Sequence, residues 1–157
     1  MLGGCAHKAP PLEIVIYYEA PASVREPWYA DVTMPQSGFK ARIFKNGKFS
    51  ADNIADTLAV ETGLENDRRP VLLVRLDDFG TRTLYQDTLN PRGMRMILSI
   101  NGQAVGIHPP VTAPIKDGSI PFYMELQHET SKELREKIVQ LSNDLNASIL
   151  IAHKASK

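Results

Sequence analysis

The chain has 157 residues, enough for one domain of ordinary size or one domain with a small satellite. Its 18 Lys and Arg balance its 18 Asp and Glu, so it lacks the long-range positive field on which nucleic-acid binding depends. Hydrophobic residues make up 43%, enough for a core, the single cysteine excludes an internal disulfide, and no apolar run reaches the length of a membrane span.

The first element in chain order is the run Leu2-Gly3-Gly4-Cys5. It resembles the lipobox that closes a bacterial lipoprotein signal, and the resemblance implies an upstream apolar leader and lipidation of Cys5. Cys5 is then expected to be a membrane anchor, not a redox or metal group, and the first residue of the mature chain. Residues 1–11 read as anchor and tether, because Pro10 and Pro11 disfavour helix. Residues 12–157 read as a single domain.

Leu12 to Tyr18 is a nearly continuous β-branched and aromatic run, expected to be a strand buried on both faces. Pro21, Pro27, Pro35 and Gly38 mark a loop region, with a short strand around Trp28–Thr33. Phe39 to Phe49 reads as a hairpin turned at Asn46-Gly47. Ser50 is placed to cap a helix from Ala51 to about Thr62, ending at Gly63. Val71 to Leu76 is an apolar strand. Asp77 or Asp78 opens a helix through Leu89, closed by Asn90-Pro91-Arg92-Gly93.

Met94 to Ile100 and Gln103 to Ile107 form a hairpin around Asn101-Gly102, the strongest turn signal in the chain. Lys116-Asp117-Gly118 makes a further turn before a strand over Ile120–Leu126. Thr130 and Glu133 have the spacing of a capping box. Leu134, Ile138, Leu141 and Leu145 follow on one helical face, and a terminal strand is expected over Ser148–Ala152. Strands and helices mix without strict alternation. The fold class is therefore α+β, a mostly antiparallel sheet packed by about three helices.

No catalytic or metal constellation emerges. His7, His108, His128 and His153 lack metal-ligand spacing to one another or to Cys5. Asp77-Asp78 is explained by helix capping, and Asp52 with Asp56 by one solvated helix face. Arg92 and Arg95 flank Gly93-Met94, a little like a phosphate-gripping corner. Asn146-Ala147-Ser148 matches the glycosylation acceptor pattern. The candidate partner-binding residues are Trp28 and Tyr29 on the Pro-rich loop, where aromatics make binding anchors, and His108, Pro109 and Pro110. No cofactor and no metal are expected.

From Asp52 onward the chain resembles the first periplasmic domain of SecD, the preprotein translocase subunit. Asp52-Asn53-Ile54-Ala55-Asp56 is similar to that family's Gly-Ala-Asp-Ile-Ala-Asp type of segment. Val71 through Arg82 is similar to its strand, acidic turn and helix start. Met94 through Val105 is similar to its Leu-Ala-Ile-Val-Leu-Asp-Gly-Lys-Val hairpin. The resemblance covers about two-thirds of the chain. It implies a SecD-head-like element over residues 51–126 on a ferredoxin-like base, and a periplasmic location. It does not imply translocation, for which SecD uses membrane helices. The family's Ser-Ala-Pro segment is replaced here by His108-Pro109-Pro110.

These readings together give an expected non-enzymatic interaction module, anchored through Cys5 to a bacterial membrane, the outer membrane being the expected one. Its partner would be an envelope protein or peptide, not nucleic acid. The alternative is an envelope inhibitor or immunity-type protein that inserts the Trp28-Tyr29 loop, or the His108–Pro114 segment, into an enzyme or toxin. A hydrolase built on Asp77 or His108 is a third reading, with no nucleophile and base to pair.

Overall fold

A computed structural model of the chain describes residues 10–63 and 68–156. The strands are β1 (Ile14–Tyr18), β2 (Tyr29–Thr33), β3 (Lys40–Phe44), β4 (Phe49–Ser50), β5 (Ile54–Thr62), β6 (Arg69–Leu76), β7 (Met96–Ile100), β8 (Gln103–His108) and β9 (Ser119–Met124). The helices are α1 (Asp78–Thr88) and α2 (Ser131–Ala155), with a 3₁₀ turn over Ala51–Asn53. The class is α+β. Seven strands form one sheet in the order β4-β1-β7-β8-β9-β6-β5, every neighbouring pair antiparallel. A separate β2-β3 hairpin completes the set.

The two ends of that sheet are joined by very little chain. β4 and β5 lie at opposite edges of the order, yet only the three residues Ala51–Asn53 separate them. Such a link spans at most about 14 Å, whereas a flat sheet of seven strands spans about 29 Å at the usual strand spacing. The sheet must therefore curl until its edges approach each other. α2 fills the hollow, with Ile138, Leu145 and Ile149 buried against Ile14, Phe49, Leu72, Val74, Leu98 and Phe122. α1 contributes Leu84 to the same core.

The opposite face of β7 and β8 is covered by the β2-β3 hairpin. Met34, Ala41 and Ile43 pack there on Ile97 and Ala104. β7 is thus buried on both sides, Met96 and Leu98 toward the helices and Ile97 toward the hairpin. β1 behaves as expected for part of its length: Ile14 and Ile16 enter the main core, while Tyr17 packs on the second.

The exposed edge of β5 is closed by a side chain. Thr57 N donates to Asn146 Oδ1 at 2.7 Å, and Asn146 Nδ2 donates to Thr57 O at 3.0 Å. The carboxamide thus takes the place of a neighbouring strand at that residue, one way of blunting an open edge. It also gives the Asn146-Ala147-Ser148 pattern a structural role, since the amide that would carry a glycan is already bonded.

Three expectations fail. The expected helix over 51–62 is a 3₁₀ turn followed by the nine-residue strand β5. Ile54 and Leu58 have helical spacing, but Leu58 ends 41% exposed and Thr57 is buried instead. β-Branched Ile54, Thr57, Val60 and Thr62 favour the ladder with β6, and that pairing outweighs the local capping signal. With the helix gone, Asp52 and Asp56 share no helix face, and Asp56 accepts from Arg75 Nε at 2.6 Å. The helix count among the described residues is accordingly two.

The expected 39–49 hairpin does not form either: β3 pairs with β2, and β4 pairs with β1. Gly47 has no positive φ; it is required because a Cβ there would stand 2.3 Å from Val15 Cγ1. The expected strand over 148–152 is the end of α2. Ile138, Ser142, Leu145 and Ile149 keep one buried helical face, so the helix period simply continues.

The other local signals act as read. Asp77 caps α1, its carboxylate accepting from Gly80 N at 2.7 Å. Thr130 caps α2 through Glu133 N at 3.1 Å. Asn101 and Gly102 take φ of 52° and 78°, the pair of positive angles a tight hairpin turn needs.

Candidate functional site

A cleft of about 350 Å³ opens beside the C-terminal turn of α1. Its wall combines Gln86, Asn90 and Pro91 from the end of α1, Arg92 and Met94 before β7, Val111 after β8, and Glu19, Pro21 and Phe44 from the β1 and β3 side. The chain reaches this place from four directions because the Asn90–Gly93 break turns it back into the sheet. Gly93 at φ 73° makes that reversal, and Gly93 N donates to Val111 O at 3.2 Å.

The carboxylates around the cleft are already engaged. Tyr18 Oη donates to Asp87 Oδ2 at 2.8 Å, and Lys48 Nζ lies 3.1 Å from the same oxygen. Burial first, then the Asp87 carboxylate, push the Tyr18 hydroxyl far above its ordinary pKa, so it stays protonated and donates. Glu19 holds Arg95 through Nε at 2.8 Å and a second, shorter contact from Nη2. That pairing commits Arg95 to Glu19, whereas Arg92, its neighbour in the corner expected from the sequence, lines the cleft wall. Arg92 is exposed on the cleft wall and forms no ion pair with a described residue.

The site therefore offers an apolar lining of Pro21, Phe44, Pro91, Met94 and Val111. It adds one uncommitted cation, Arg92, and two carboxamides, Gln86 and Asn90. Pockets that recognise ligands by shape combine apolar walls with a few polar groups in this way. Among the described residues no three His, Cys, Asp or Glu side chains gather at a metal-sized site.

The expected partner-binding residues reach this region in part. Trp28 is 64% exposed, and its neighbour Tyr29 pairs across the hairpin with Phe44, which lines the cleft. Tyr29 itself is half-buried and stacked under Arg42, whose guanidinium carbon lies 3.9 Å from the ring centroid. The two aromatics thus divide, Trp28 facing solvent and Tyr29 serving the hairpin. Pro109 and Pro110 are exposed and lead into buried Val111 on the opposite wall.

His108 is half-buried, edge-on to Phe122 with ring centroids 6.5 Å apart. Its Nδ1 donates to Pro109 O at 2.6 Å. Burial lowers its pKa, against the opposing pull of that bond, so the ring packs as a neutral group. Asp77 is spent on its helix cap. Cys5 and His7 lie outside the described residues.

Sequence reasoning did not single out Glu19, Phe44, Asp87, Met94 or Val111. Phe44 carried a faint signal as an aromatic at the end of a short strand. The others have none, since their meeting depends on the order of the strands. Comparison with known protein families, with characterised proteins and with solved structures finds no match.

Proposed function

We propose that this chain is a non-catalytic interaction module of the bacterial envelope, held to a membrane by lipid on Cys5. In this reading it takes a segment of an envelope protein or peptide in the cleft beside α1. The observation that carries the binding reading is the cleft itself: apolar walls, an exposed aromatic at Trp28 near one rim, and Arg92 uncommitted among carboxylates that all have partners. The segment that suits it has an apolar side chain for the Phe44–Val111 gap and a carboxylate for Arg92.

The resemblance to the SecD periplasmic domain supports the location and belongs to the same proposal. The ferredoxin-like base that the resemblance implies belongs to the same proposal. Incorporation of labelled palmitate into the precursor, lost in Cys5→Ser, tests the anchor; uptake of label by the Cys5→Ser precursor refutes it. For the cleft, a photo-crosslinking residue at Phe44 in envelope preparations yields discrete adducts that Arg92→Glu abolishes. The same adducts from a crosslinker at Lys132, on the outer face of α2, would remove the cleft from the account.

The exposure of Trp28 favours a second reading, an inhibitor or immunity-type protein whose loop enters an enzyme or toxin. That reading requires one dominant adduct at Trp28, to an enzyme whose activity falls on addition of the chain.

A further inference from the structure

The outward face of α2 changes character along its length. Up to Asp144 its exposed positions are polar or charged except Val139; beyond it they include Ala147, Leu150 and Ile151, with Lys154 the one charged residue among them. Leu150 is 61% exposed and Ile151 51% exposed, although Ile149 between Ser148 and Leu150 already supplies the buried anchor of that turn. An ordinary solvent face would carry polar residues there. Phe79, 61% exposed, stands in the first turn of α1. That helix's cap Asp77 shares a cleft with Leu150, His153 and Lys154.

The described N-terminal residues run beside this patch. Leu12 N donates to Ser148 Oγ at 2.9 Å, and Pro11, Leu12, Ile151 and Ala152 line one groove. Cys5 is separated from Pro10 by five residue steps, which span at most about 18 Å even when fully extended. A lipid on Cys5 therefore keeps this end of the molecule within that distance of the bilayer. Trp28 belongs to the other end of β1: it is bonded to Lys45, next to Phe44, while Glu19 after β1 bridges to Ile43.

We infer that the end of the molecule bearing Leu150, Ile151 and Phe79 rests on the membrane surface, with the cleft beside α1 held away from it. The inference rests on the anchored reading of Cys5. The three apolar side chains enter the interfacial layer, and Lys154 in the last turn of α2 extends its ammonium group to the phosphates. Asp52 and Asp77 line the same neighbourhood, so the contact is driven by apolar burial and depends little on salt. A second copy of the chain is the less suitable occupant, because the short tether leaves little room for one between this patch and the bilayer.

The single cysteine allows a test that does not require cellular lipidation. The full chain is coupled through the Cys5 thiol to a maleimide lipid in phosphatidylcholine–phosphatidylglycerol vesicles with brominated acyl chains. Two proteins are compared, each with one tryptophan: the native chain, reporting from Trp28, and Trp28→Phe/Leu150→Trp. Bromine quenches only at short range, so the second reporter loses more than half its emission and the first less than a tenth. Trp28→Phe/Ile151→Trp serves in its place if the first variant fails to show the native circular dichroism. Equal quenching of the two reporters, no quenching of either, or quenching that appears only at high surface density of protein each overturns the inference. The palmitate experiment above fails or succeeds independently of this result, so the anchor and the orientation are judged separately.

Discussion

Replacing Asn146 by alanine is the sharpest test of how the curled sheet is held. The side chain makes two main-chain bonds to Thr57, at 2.7 and 3.0 Å, and Thr57 is 1% exposed. Thr57 Oγ1 keeps its partner in the variant, because Ser142 Oγ lies 2.8 Å away. The variant also loses the 3.1 Å bond from that hydroxyl to Asn146 Oδ1, so the groups left without a partner are one backbone N–H and one C=O on the edge strand. A buried group left unpaired costs about 1–3 kcal/mol. β5 is an edge, so water reaches the vacated space, and the lower part of that range applies to each group, for a total of about 2–3 kcal/mol.

With a urea dependence of about 2 kcal/mol per molar, the unfolding midpoint drops by roughly 1–1.5 M. Asn146→Asp keeps the acceptor for Thr57 N–H but sets a carboxylate against Thr57 O, and falls by a comparable amount. Asn143→Ala, at an exposed position one turn earlier, shifts the midpoint by less than about 0.3 M. Native-state hydrogen exchange adds a local reading: the Thr57 amide exchanges at least tenfold faster in Asn146→Ala than in the parent. A midpoint shift no larger than that of Asn143→Ala, with Thr57 still protected, would refute the reasoning.

Gly47→Ala drives a methyl to 2.3 Å from Val15 Cγ1 and destabilises by about 1–2 kcal/mol, and Val15→Ala in the same chain recovers most of it, read by thermal unfolding of the double-mutant cycle. Tyr18 keeps its proton in the folded chain well above the pH at which the unfolded chain releases it, so its contribution is full below about pH 10 and is lost as pH rises further. Unfolding titrations from pH 8 to 11 show a steeper alkaline fall in the parent than in Tyr18→Phe. His108 has the opposite sign: burial lowers its pKa, so stability is full above about pH 6.5 and declines as pH falls below it. His108→Phe flattens that acid limb in denaturant midpoints measured from pH 7 to 5.

Where a signal is local, it could be read from the chain. Asp77 and Thr130 cap their helices because a side-chain oxygen three residues before an amide finds it in any context. Asn101-Gly102 turns the β7-β8 hairpin because few residues tolerate two successive positive φ angles. β1, β6 and β9 also formed where runs of apolar residues called for them. The segment 51–62 was misread because its helical spacing is local, whereas the β6 strand that claims it lies beyond the next turn. The end of α2 was misread for the converse reason: the short apolar run over Ser148–Ala152 reads by itself as a strand, and the buried helical face leading up to Ile149 decided otherwise.

The candidate cleft was legible only at its rims. Trp28 and the prolines after His108 were visible as an aromatic and a break in a polar loop. Their connection through Phe44 and Val111, and the engagement of Glu19, Asp87 and Arg95, arise from chain segments up to about ninety residues apart meeting at one end of the sheet. By itself the sequence determined the class, the caps, the tightest turn and the balanced charge, all properties of neighbours along the chain. The tertiary structure alone decided the strand order, the closure of the β5 edge by Asn146, and which charges were left free. Those outcomes depend on which distant groups compete for the same hydrogen bonds and the same buried space, and no stretch of neighbouring residues carries that information.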